Sequence, residues 1–106
     1  MFNKTLFSSL RVGAIQLPNR MVMAPLTRMR AGAANAPTAL NAEYYAQRAA
    51  AGLIVSEGTA ISPQAQGYPN APGIYTAAQI AGWRVVTDRV HARRGRIIMQ
   101  IAHNGR

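Results

Sequence analysis

The sequence predicts an α/β chain built on a parallel sheet, and three observations carry that expectation. Short apolar runs lie at residues 21–26, 53–56 and 96–101. A helical pattern fills each of the two gaps between them. Polar residues or glycine follow each run, as they do where buried parallel strands deliver groups at their C-terminal ends. Strand, helix, strand, helix, strand implies right-handed βαβ crossovers. On the residues alone, the start of a doubly wound sheet and the start of a (β/α)8 barrel both satisfy this order. No G-x-G-x-x-G or G-x-x-x-x-G-K motif occurs, so the usual nucleotide fingerprints are missing.

Ahead of the first strand, residues 10–17 alternate apolar and polar side chains around Gly13, the pattern of a small hairpin. Residues 21–26 form a buried strand that Pro25 brings to a stop, because proline cannot donate to a ladder. Gly32 and Pro37 mark residues 29–37 as a loop. Thr38 is the expected N-cap of a helix over 39–51, with Leu40 and Tyr44 on its apolar face and Gly52 as its stop. Residues 53–56 make the second strand, with Glu57-Gly58-Thr59 at its exit. Residues 60–75 carry three prolines and two glycines, too many for a regular element, and so form a long functional loop.

The clearest local signal is Thr76-Ala77-Ala78-Gln79, a capping box, with Tyr75 and Ile80 placed for a hydrophobic staple. Ile80, Trp83, Val86 and Val90 then recur at helical spacing up to Gly95, with Trp83 read as core. Residues 96–101 form the third strand.

The totals exclude several classes. With 106 residues the chain fits one domain, and 49% hydrophobic residues suffice for a core. No apolar run approaches the ~20 residues of a membrane span. Met1-Phe2-Asn3-Lys4 opens the chain without the pattern of a secretory signal. The absence of cysteine removes disulfides and thiolate chemistry, and fits a cytoplasmic location. Twelve basic against three acidic residues give a net charge of +9. The denser run Arg84, Arg89, Arg93, Arg94 and Arg96 reads as a solvated helix face, and no nucleic-acid module accompanies it.

In either fold the working groups gather at the strand exits. The candidates are Thr27 and Arg28, then Glu57 and Gly58, then Gln100, His103, Asn104 and Arg106, with Tyr68 in the long loop. A hydroxyl, a carboxamide and open backbone suit a heteroaromatic ring, since an amide such as Gln100 donates and accepts at once. His91 and His103 have no cysteine to join them as metal ligands. Glu57 reads as one partner of an ion pair. Ser56 and His103 lack a nucleophile elbow or a third member.

Met23-Ala24-Pro25-Leu26-Thr27-Arg28, Ala42-Glu43-Tyr44-Tyr45-Ala46-Gln47-Arg48-Ala49, Ser56-Glu57-Gly58-Thr59, Gln66-Gly67-Tyr68-Pro69-Asn70 and Pro72-Gly73-Ile74-Tyr75 resemble the old yellow enzyme family, in its bacterial N-ethylmaleimide reductase type. The resemblance runs from about Leu6 to Arg106. It implies the first three βα units of a (β/α)8 TIM barrel preceded by the hairpin, with residues 1–106 as the N-terminal portion of one flavin-binding domain. It also implies FMN as cofactor, NAD(P)H as reductant, and hydride transfer to activated alkenes such as enones, maleimides and nitro compounds.

By the same resemblance Pro25, Leu26, Thr27, Gly58 and Gln100 are cofactor-binding, and Tyr68 and Thr27 meet the substrate. Position 58 holds glycine where the family usually has alanine, Ala102 replaces a bulky residue, and Asn104 replaces a small apolar one. The family's substrate-anchoring His pair and proton-donor Tyr lie beyond Arg106, so no catalytic residue is assigned. A barrel needs about 250 residues. The chain is therefore expected to be inactive alone, and to self-associate or pair with a complementing C-terminal chain. The alternative is a non-catalytic module that uses its basic surface.

Overall fold

Two βα crossovers set the plan of the computed structural model, which describes residues 4–105. Arg106 lies outside that range. A short helix α1 (Lys4–Phe7) leads into the antiparallel pair β1 (Leu10–Val12) and β2 (Ile15–Leu17). Gly13 turns this hairpin at φ +59, a conformation that costs glycine nothing. Then follow β3 (Val22–Met23), α2 (Ala39–Ala46), β4 (Leu53–Val55), β5 (Thr59–Ala60), α3 (Ala77–Ala92), β6 (Ile97–Ile98) and β7 (Ile101–Ala102). Strands β3, β4 and β6 lie parallel in that order, registered by Met23 on Ile54 and by Ile54 on Ile97. β5 pairs in parallel with β7.

The core forms where α2 and α3 pack on the sheet. Ala42, Tyr45 and Ala49 meet Trp83, Val86 and Val90 over the central strand residue Ile54. Burying each large side chain contributes about 1.5–3 kcal/mol. Trp83 is core as expected, and its indole N–H donates to Gly73 O at 3.1 Å, so no polar atom is stranded.

Several local expectations need correction. The first strand is a two-residue ladder, not a buried run over 21–26. Val22 is 52% exposed because β3 is an outer strand with β4 as its neighbour, and Leu26, past the end of that strand, is 58% exposed. Helix α2 ends at Ala46, and its inward face carries Asn41, Ala42, Tyr45 and Ala46, whereas Leu40 faces solvent. Gly52 is required by close approach, since a Cβ there would lie 2.1 Å from Asn19 O. On α3 the buried residue of the first turn is Gln79, and Ile80 is exposed. Tyr75 turns its hydroxyl to Gln66 Oε1 at 3.3 Å. Arg94, not Gly95, takes the left-handed position after α3.

Residues 60–75 are more ordered than their composition suggests. Ala60 bridges Gly73 in parallel, and a single 3-10 turn, Pro63–Ala65, starts from Ser62, whose hydroxyl accepts the Ala65 N–H. The basic run is partly engaged. Arg89 pairs with Glu43 across the α2–α3 seam, and Arg93 donates to Ala46 O at 3.2 Å.

Candidate functional site

The second and third strands each break at one level, and the breaks build the site. Between β4 and β5 lie Ser56, Glu57 and Gly58; between β6 and β7 lie Met99 and Gln100. Side chains replace the ladder there. The Ser56 hydroxyl accepts the Gln100 N–H at 3.2 Å and donates to Glu57 O at 3.0 Å. The Thr59 hydroxyl donates to the same carbonyl at 2.8 Å, while the Thr59 N–H donates to Gln100 O at 2.9 Å.

Two hydroxyls thus hold the carbonyl of the Glu57–Gly58 peptide. In a planar trans peptide the N–H points opposite to the C=O, so the Gly58 N–H is aimed away from them. It makes no hydrogen bond among the described residues. A cavity of about 140 Å³ opens at this point, lined by Thr27, Gly58, Tyr68, Gln100, Ala102 and Asn104 among others. The predicted Thr27, Gly58, Gln100 and Tyr68 come together here from three strand exits and the long loop. Pro25 and Leu26 lie on the adjacent exposed stretch and do not line the cavity. His103 points to solvent, and its Nδ1 accepts the Gly105 N–H at 3.0 Å.

Around Gly58 the fit is loose enough for a methyl group. A Cβ there would meet Ala102 Cβ at 3.5 Å, Gln100 Oε1 at 3.6 Å and Thr27 Oγ1 at 3.9 Å, all ordinary contacts. The loop bearing Tyr68 is tied down on both sides. The Gln66 amide donates to Ala71 O at 2.7 Å, and the Asn104 amide donates to Ala65 O at 2.9 Å. Tyr68 itself is 53% exposed.

Among the described residues Glu57 is not an ion-pair member. It is buried and faces α2, where Tyr45 Oη donates to its Oε2 at 2.6 Å and accepts its backbone N–H at 3.0 Å. Its Oε1 is buried and makes no hydrogen bond among the described residues. Burial raises the carboxyl's pKa above its usual value; the Tyr45 hydrogen bond and Arg28 oppose that shift. Burial and the carboxyl together push the Tyr45 phenol upward. The carboxylate that does form an ion pair is Glu43, held below its usual value by its bond to Arg89. Sequence pattern alone does not mark Tyr45, Ser56 and Thr59 as parts of the site. The one available signal was hydroxyls flanking the glycine of a strand exit.

Parallel strands whose C-terminal ends gather a hydroxyl, a peptide N–H unpartnered among the described residues and a carboxamide match the arrangement that barrel enzymes use at their small-molecule sites. Comparison with known proteins is specific. The sequence model of the NADH:flavin oxidoreductase / NADH oxidase family matches residues 5–106, and the chain belongs to that family. Flavin oxidoreductase hxnT of Emericella nidulans is 52% identical over 106 residues, covering 95% of this chain and 27% of that protein. Morphinone reductase, solved in complex with tetrahydroNAD, superposes with a TM-score of 0.92 at 54% identity, over 95% of this chain and 28% of that one. The old yellow enzyme homologue from Zymomonas mobilis gives a TM-score of 0.93 at 51% identity, over 96% and 29%. The chain thus spans somewhat over a quarter of the length of these relatives. It matches the N-terminal part of TIM-barrel old yellow enzymes, which settles the choice between doubly wound sheet and barrel; the described residues form no closed barrel.

Proposed function

We propose that this chain supplies the ring-side wall of an FMN site in an NAD(P)H-dependent ene-reductase that reduces activated alkenes. The observation that carries this reading is the convergence of Thr27, Gly58 and Gln100 on one cavity, with the Gly58 N–H unpartnered among the described residues. The donor set suits the edge of a flavin. Gly58 donates, Gln100 donates and accepts, and the Thr27 hydroxyl can do either. Bound FMN would supply hydride chemistry. The chain's own groups would orient the ring and exclude water from one edge, with Pro25 and Leu26 flanking it and Tyr68 closing over the substrate side.

The phosphate of a barrel cofactor is normally held by loops after the last strands. We assign that contact, the substrate-anchoring histidines and the proton donor to polypeptide corresponding to the remainder of the longer relatives. On this reading the chain is inactive alone and completes its site with such a partner in the cytoplasm. A purely basic binding module is less well supported, because Arg28 and Arg48 both stack on Tyr44 and Arg89 is paired with Glu43.

The test is titration of FMN and NADPH into the chain, with and without the complementing C-terminal part of morphinone reductase. Flavin quenching and cyclohexenone reduction are expected only with the partner. Reduction by the chain alone would contradict the division of labour, and no flavin response in either arm would defeat the flavin reading.

A further inference from the structure

The Thr27 and Gly58 groups leave different strands, and the ladder between those strands stops at Met23–Ile54, well short of them. No main-chain hydrogen bond joins residues 24–28 to residues 56–58. Something else must fix their separation. Two adjacent aromatic residues on α2 reach both segments. The Arg28 guanidinium lies 4.1 Å from the centre of the Tyr44 ring, and Arg48 lies 4.0 Å from it. Arg48 also donates to Tyr44 O at 2.9 Å. Tyr44 meets Tyr45 edge to face, with centroids 5.2 Å apart.

Tyr45 then holds Glu57 at two points with one hydroxyl. It donates to the carboxyl and accepts from the backbone N–H, so both of its main hydrogen-bonding directions are used on one residue. The next peptide in the chain is the one that carries the Gly58 N–H. The Arg28 charge also opposes the upward pull of burial on the Glu57 carboxyl. Among the described residues the Tyr45 hydroxyl is the hydrogen-bond donor to that carboxyl, and Oε1 is left over.

We propose that Tyr44 and Tyr45 are positioning residues that couple Thr27 to Gly58, through the Arg28 stack on one side and the Glu57 pair on the other. This deepens the ring-edge reading and rests on it for its purpose, while the coupling itself is a property of the chain without flavin. Tyr45 and Glu57 do not touch the cavity. Their effect is to determine whether two donors from two strand exits sit at a constant spacing.

The experiment follows backbone amide resonances of the full 106-residue chain. Tyr45→Phe is expected to shift the Thr27 and Gly58 amides together, while Val86 and Val90 in the core stay in place. Arg28→Leu, which removes the stack from a half-buried position and keeps the variant foldable if Tyr45→Phe is not, is expected to shift both as well. Glu57→Gln retains an acceptor for the phenol and should return both resonances close to the parent positions, whereas Glu57→Ala should not. Movement of Gly58 alone in Tyr45→Phe, or of Thr27 alone in Arg28→Leu, overturns the coupling. Shifts spread evenly through the core overturn it too, since that is what a purely structural role predicts. Adding FMN separates the two ideas: no response in the parent chain with its complementing partner would count against the flavin site and leave the amide coupling intact.

Discussion

Gly58 shows how little of this site depends on side chains. Its donor is a peptide N–H, aimed by Ser56 and Thr59 holding the carbonyl of the same peptide unit. Since a methyl group fits there at 3.5 Å or more, Gly58→Ala should keep the cavity and stabilise the chain by about 0.4–1 kcal/mol through the unfolded state. Thermal or urea unfolding would show it, and a loss of stability would mean the backbone at 58 is strained. Glu57 gives a pH signature. Its folded pKa lies above the ordinary 4.5, so the native state holds the proton more tightly than the unfolded chain does. Its contribution is complete below the unfolded pKa and is lost as pH rises through the folded value. Unfolding followed from pH 4 upward should show stability falling through that window, and Glu57→Gln should flatten the slope. The Glu43–Arg89 pair works in the opposite sense, with stability lost as pH falls, so the Glu57→Gln comparison is what isolates the buried group.

At the scale of the elements, the helix start at Thr76 was fully legible. The Gln79 N–H donates to Thr76 Oγ1 at 3.1 Å, and Gln79 Oε1 accepts the Thr76 N–H at 3.1 Å, the reciprocal pair that the spacing implies. What periodicity could not reveal is that Gln79 is buried and bonds across to Ala34 O at 3.0 Å, taking the inward place assigned to Ile80. A polar residue wins that position because it has three partners there. Thr76→Ala should cost about 0.5–2 kcal/mol, read from the denaturant midpoint. A cost near zero would mean that Gln79 alone secures the end. The third strand was legible as apolar but not as divided. Its break depends on the Ser56 hydroxyl meeting the Gln100 N–H, and residues 44 apart give no local signal.

For the molecule as a whole, the strand–helix order and the exits carrying Thr27, Gly58 and Gln100 could be read directly, because apolar runs and capping residues are local chemistry. Exposure could not. Residues 21–26 look buried in sequence, yet Met21 and Val22 border an apolar depression of about 410 Å³ at one outer edge of the sheet. At the other edge, Trp83, Ile97 and Ile98 line one of about 160 Å³. Parallel edges that are unpaired among the described residues and flanked by apolar surface favour association. Sedimentation of the chain alone should therefore show concentration-dependent oligomers that recede when a complementing barrel segment is added. A monomer at all concentrations would mean these edges are adequately solvated.

The broken strand at Glu57-Gly58 has one more consequence, for inheritance. On the proposed function the Gly58 N–H is a recognition group supplied by the main chain, and it is shielded from most mutation because replacing the side chain at 58 leaves the N–H in place. Only proline deletes it outright. Variation at that position therefore adjusts the width of the cavity while its hydrogen-bonding character stays the same. The vulnerable letters lie at 45, 56 and 59, whose hydroxyls aim a donor they do not themselves contain.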